Sequence, residues 1–98
     1  MLYDACMVIT KVSKALSDQN RIKILSYLSD GGQNVSSVAD KLNVEENLAS
    51  HHLRVLASLG FLKNEKKGRE VHYKLNEKRL VALFKDLKRN TAFRDILL

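Results

Sequence analysis

Apolar residues recur at helical spacing along most of the chain and switch to strict alternation over one short stretch. From about Tyr3 to Leu16, Ala5, Val8, Ile9, Val12 and Leu16 share one helical face. Asp18 then stands where a side-chain oxygen can accept the first free amides of "QNRIKILSYLS", in which Ile22, Leu25 and Leu28 are expected to face one way. Asp30-Gly31-Gly32 ends this second helix, glycine supplying the left-handed backbone of a C-cap. Asn34 can cap a short third helix, Val35 to Leu42, with Val38, Ala39 and Leu42 inward. Asn43, one of the few non-glycine residues that tolerates positive φ, leads through Val44-Glu45 into a fourth helix whose buried stripe is Ala49, Leu53 and Leu56. A short helix, a tight turn and a longer helix outline a helix-turn-helix over residues 35–58.

Gly60 closes the fourth helix, and the period changes. In "FLKNEKKGREVHYKL", residues 61–75, Val71, Tyr73 and Leu75 alternate with His72 and Lys74, and Lys67-Gly68 marks a hairpin tip. Asn76 caps a last helix with an apolar stripe of Leu80, Leu83, Phe84 and Leu87. The pattern predicts a mainly α domain with a β-hairpin wing, in the order α-α-α-α-β-β-α. No proline, repeat or low-complexity linker divides residues 1–98, so a single domain is expected. The first and last helices, residues 1–16 and 77–98, each carry an apolar stripe that one small domain does not easily bury alone. That predicts a homodimer joined through Val8, Val12, Leu80, Phe84 and Leu87.

Charge narrows the choice of partner. The 98 residues hold 17 Lys and Arg against 11 Asp and Glu, a formal net charge of +6, which draws a small domain toward polyanions. The N-terminal "MLYDACMVITKV" lacks a basic region followed by a clean apolar run, and no stretch approaches the roughly 20 apolar residues that span a bilayer. A cytoplasmic protein with no membrane partner is expected. A single cysteine, Cys6, precludes an intrachain disulfide and is expected to be a small buried hydrophobe.

With Ala49, Leu53 and Leu56 inward, rotation by about 100° per residue turns Asn47, Ser50, His51 and Arg54 outward, flanked by Glu46 and Leu48. These side chains suit base edges and phosphates in a major groove, which admits a helix. Leu48 could meet a thymine methyl or pad the turn. Around Gly68, Lys66, Lys67 and Arg69 put three cations on a projecting loop, suited to phosphates or a minor groove. Each signal has a plainer reading, a solvated helix face or lysines that guard a sheet edge. Both in one short chain favour double-stranded DNA. A winged-helix module that engages an acidic protein through Glu45, Glu46 and Leu48 is the alternative. No phosphate loop, carboxylate pair or nucleophile–histidine arrangement points to an enzyme.

The strings "ALSDQNRIKILSYL", "SSVADKL", "ASHHLRVLASLGFL" and "GREVHYKL" together resemble the arsenical-resistance repressor family, ArsR/SmtB, over Ala15 to Leu75. The resemblance implies a dimeric winged-helix transcription regulator, most plausibly a repressor on a pseudo-palindromic operator. It makes the fourth helix the recognition helix, the hairpin the wing, and the flanking helices the dimerisation elements. One departure is Glu45-Glu46 where the family usually has a polar pair such as Ser-Gln, so the contacts at those two positions are expected to differ from the family's usual ones. Glu46 can instead accept from a cytosine amino group. The family's metal sites find no match. Asn34 and Ser36 stand in place of its Cys-x-Cys, and the last helix has Asp86 but no histidine between Asn76 and Leu98. His51 and His52 are adjacent on a helix and point about 100° apart, so they cannot chelate one ion together. Metal binding by His51, His52 or His72 is not expected. No cofactor, metal or small-molecule effector is evident.

Overall fold

A computed structural model describes residues 2–89, apart from the side chains at positions 2–6, 8, 9, 84 and 86–88. Its elements run α1 Leu2–Leu16, α2 Gln19–Leu28, β1 Gln33–Asn34, α3 Val35–Leu42, α4 Glu46–Ser58, β2 Leu62–Lys67, β3 Glu70–Leu75 and α5 Glu77–Arg89. α2, α3 and α5 start where side-chain oxygens satisfy their free amides. Asp18 Oδ1 accepts from Asn20 N at 2.8 Å and Arg21 N at 3.3 Å, Asn34 Oδ1 from Ser37 N at 2.7 Å, and Asn76 Oδ1 from Arg79 N at 3.4 Å. Asn43 adopts the left-handed conformation, φ 55 and ψ 50, and ends α3.

The sequence pattern missed β1. Gln33 and Asn34 pair antiparallel with Tyr73 and His72, making a three-stranded sheet in the order β1-β3-β2 rather than a lone hairpin. Two residues give too short a run for any alternation to show. β2 and β3 pair from Leu62↔Leu75 to Lys67↔Glu70, so the tip is the two residues Gly68 and Arg69, with φ 64 at Gly68.

The core lies where α2, α3, α4 and the base of the sheet meet. Ile24, Leu28, Val38, Ala39, Ala49, Leu53, Leu56, Phe61, Leu62 and Tyr73 are buried there, joined by Val12 from α1 and Leu83 from α5. Leu16, Leu25, Leu42, Leu75 and Leu80 pack against this cluster half-buried. Two expected inward residues point out. Ile22 is exposed, because it lies about 120° around α2 from Leu28, and Ile24 fills the core position instead. Val71 is 36% exposed, on the outer half of the wing where an open cleft separates it from the helix-turn-helix. The expectations for Ala5, Cys6, Val8, Ile9, Phe84, Asp86 and Leu87 lie outside the described side chains, as does the stretch 90–98.

Candidate nucleic-acid interface

α4 is built to show two different faces. Its inward side, Ala49, Leu53 and Leu56, is fully buried, which fixes the helix rotation to within one side-chain position. The tight turn before it is closed by Val44 N to Ala39 O at 3.0 Å and Asn43 N to Asp40 O at 3.2 Å. Ala39 is buried there, small enough for α3 and α4 to approach closely. Glu45 takes the N-cap position, its carbonyl accepting from Leu48 N and Ala49 N while its side chain caps nothing.

That rotation leaves Glu46, Asn47, Leu48, His51 and Arg54 exposed and Ser50 half-buried. Leu48 is 43% exposed, so it does not serve as padding for the turn. Arg54 Nε donates to Ser50 O at 3.4 Å, one turn back along the helix, and its guanidinium stays at the surface. Lys66, Lys67 and Arg69 are all exposed at the wing tip.

The outer half of the wing is tethered to the start of α3. Glu70 Oε2 accepts from Asn34 Nδ2 at 3.2 Å and pairs with His72 Nε2 at 3.1 Å. Hydrogen bonds first from Asn34 and then from His72 hold the Glu70 carboxyl below the usual carboxylate range. Beside this clasp a cleft of about 310 Å³ is lined by Asn34, Ser36, Glu46, Arg69 and Val71. The start of α4 and the cationic hairpin therefore meet across one concave surface, although they lie more than twenty residues apart in the chain.

His52 is only 4% exposed. Its Nδ1 accepts from Arg21 Nε at 3.1 Å, which locks α4 to the start of α2. Burial lowers the His52 pKa below 6.5, and the nearby Arg21 and His51 charges add to that, while Asp18 opposes it. Burial of the Asp18 carboxyl opposes its ionisation, yet the amides of Arg21 and Asn20, with His52 and Arg21 charge nearby, leave its pKa below 3.8. Sequence reading missed both the Arg21–His52 contact and the Asn34–Glu70–His72 clasp. Their members are too far apart in the chain for any local spacing to reveal them. Among the described residues, no group of three His, Cys, Asp or Glu side chains could hold a metal ion.

The residues expected at a dimer contact divide. Val12 is 8% exposed and spent in the protomer's own core, and Leu80 is half-buried against it. Met7 on α1 and Val81 on α5, not singled out by the spacing, stand 51% and 52% exposed.

A model of the arsR family of bacterial regulatory proteins matches residues 18–64, which spans α2 through the start of β2. The transcriptional repressor SdpR of Bacillus subtilis is 35% identical over 65 residues, covering 66% of this chain and 72% of that one. The chain belongs to the ArsR family. A cadmium resistance regulatory protein CadC homolog of Staphylococcus aureus is 42% identical over 78 residues, 79% of this chain and 64% of its own length. An ArsR-like regulator from Rhodococcus sp. RHA1 superposes with a TM-score of 0.80 at 32% identity, covering 94% of this chain and 87% of that one. The homodimeric winged helix-turn-helix DNA-binding domain of a Mycobacterium bovis protein, fragment 1-100, superposes with a TM-score of 0.73 at 26% identity, covering 91% of this chain and 85% of that one. This ArsR-family chain thus has a winged helix-turn-helix fold, mainly α with a small antiparallel wing. No described helix is long and apolar enough to cross a membrane.

Proposed function

We propose that this chain is a homodimeric, sequence-specific double-stranded-DNA-binding transcription repressor, working in the cytoplasm and without catalytic activity. The carrying observation is the division of α4: a fully buried inner stripe holds an outer row of hydrogen-bonding side chains at a fixed angle. Asn47, Ser50, His51 and Arg54 then read base edges and phosphates in the major groove, with Leu48 against a thymine methyl and Glu46 accepting from a cytosine amino group. Lys66, Lys67 and Arg69 neutralise phosphates beside that groove. Residues 1–98 act as one domain, and α1 and α5 join two protomers. Exposed Val81 on α5 extends that contact, with Val8, Leu80, Phe84 and Leu87 on the same two helices and Val12 supporting α1 from within. The homodimeric Mycobacterium bovis domain supports this assembly. Two copies of α4 about 34 Å apart match a pseudo-palindromic operator, and occupancy blocks polymerase.

The experiment is selection of bound sequences from a random duplex pool, followed by affinity measurements across a salt series. The expected result is a two-fold symmetric site and a steep fall of affinity with salt. Enrichment of no sequence, or an asymmetric site bound by a monomer, defeats the proposal.

A further inference from the structure

We propose a second binding site, remote from the wing tip: the groove where α1, the start of α2 and the end of α4 meet takes a small amphipathic oxyanion, a carboxylate or phosphate ester with a short hydrocarbon body. The groove has a volume of about 380 Å³, and Lys11, Lys14 and Arg21 line it from two helices. No carboxylate lines it, and among the described residues none of the three cations lies within 4 Å of one. Three like charges around a concavity focus a positive potential into it. Ser58 also lines the groove, but its hydroxyl donates to Val55 O at 2.7 Å, so anion binding rests on the cations.

The floor favours a small molecule over a duplex. Val55, Leu59 and Ala15 form an apolar base, which a phosphodiester does not use and a hydrocarbon body does. The groove also reaches Ser58, roughly 16 Å along the α4 axis from Asn47, toward the end of the helix opposite the wing tip. Arg21 connects this site to the DNA-facing helix. Its Nε is engaged by buried His52, while the other guanidinium donors remain to grip two oxygens of one anion. An occupant thus bears on the same side chain that locks α4, and its negative charge opposes that of DNA.

Octanoate serves as the probe, titrated into the isotopically labelled full chain without DNA and followed by amide chemical shifts. The expected result is saturable movement of Ala15, Arg21, Val55 and Leu59, with far weaker effects from neutral octanol and from inorganic phosphate. Lys11→Gln and Lys14→Gln, which leave His52 untouched, are expected to weaken binding by about two- to fivefold each. Arg21→Gln is expected to weaken it by about tenfold or more, and Lys41→Gln on α3 to change nothing. Linear, non-saturating shifts, movement centred elsewhere, or unchanged affinity in the Lys11→Gln/Lys14→Gln double variant would overturn the proposal. If octanoate moves nothing and that double variant instead loses duplex affinity, the groove is a path for DNA phosphates and the proposal falls. Because the primary readout contains no DNA, it stands or falls separately from the operator-binding reading.

Discussion

The helix-turn-helix and the wing are held in place by different forces. In α3 and α4, Val38, Ala49, Leu53 and Leu56 are wholly enclosed, so packing sets the position of every outward side chain. In β2 every residue from Lys63 to Lys67 is exposed, and the hairpin depends on its backbone ladder and on the Asn34–Glu70–His72 clasp. One element is therefore intolerant of change on its inner face, and the other tolerates change except at the clasp and at buried Leu62 and Tyr73. Leu53→Ala tests the contrast most severely. It is expected to cost about 2–5 kcal/mol in a urea or thermal unfolding curve, while Val71→Ala on the wing stays within roughly 0.5 kcal/mol. Similar losses at both positions would erase the distinction.

The outer face of α4 carries the next effect. Arg54→Ala removes an exposed side chain whose only described hydrogen bond is to its own helix, so stability is expected to hold. Operator affinity is expected to fall by about 1–3 kcal/mol, with relaxed preference at one base position. A uniform loss across all sequences would make Arg54 a phosphate contact instead. The same reasoning applied to Leu53 gives the opposite pair of outcomes, a damaged fold and an affinity lost only in step with unfolding.

What could be read from the sequence follows from how local each cause is. The caps at Asp18, Asn34 and Asn76 and the left-handed Asn43 act within three residues, and each was legible. The inward stripe of α4 was legible because Ala49, Leu53 and Leu56 recur over several turns. α2 was misread by one position, since Ile22, Ile24 and Leu25 are all apolar and only contact with α3 and α4 decides between them. β1 was missed because its pairing partners stand on β3, some forty residues further on. The packing of Val12 into the protomer's own core was hidden for a related reason. A stripe of apolar positions says that burial occurs, not whether the protomer or a second copy supplies it.

A third test joins the two regions through His52. Its folded pKa lies below 6.5, chiefly because the ring is buried, with Asp18, Arg21 and His51 as the charged neighbours. The sign follows from linkage: between the folded and unfolded pKa values the unfolded chain binds the extra proton, so stability rises with pH there. Stability is expected to be level above about pH 6.5 as regards this group and to decline as pH falls through the folded pKa. Protonation also removes the Nδ1 acceptor for Arg21. His52→Gln keeps an acceptor without a titrating ring, so its stability profile is expected to be flatter from pH 7 to 5. An unchanged slope would place the proton uptake elsewhere.

The wing tip gives the smallest expected effect per residue and the finest test of the contrast. Lys67 is exposed and pairs through its backbone with Glu70, so truncating its side chain leaves the ladder intact. Lys67→Ala is expected to leave unfolding unchanged and to reduce the slope of log affinity against log salt by about two, one phosphate contact from each protomer, with the sequence preference unaltered. The rival role for such a lysine is to keep an exposed strand edge from pairing with other chains. That role predicts a constant slope and faster aggregation, so light scattering beside the salt series separates the two. Combining Lys66→Ala, Lys67→Ala and Arg69→Ala is expected to triple the change in slope, because separate phosphate contacts release separate counterions. A triple variant with the slope of the single one would mean that one cation, not the whole tip, touches the backbone.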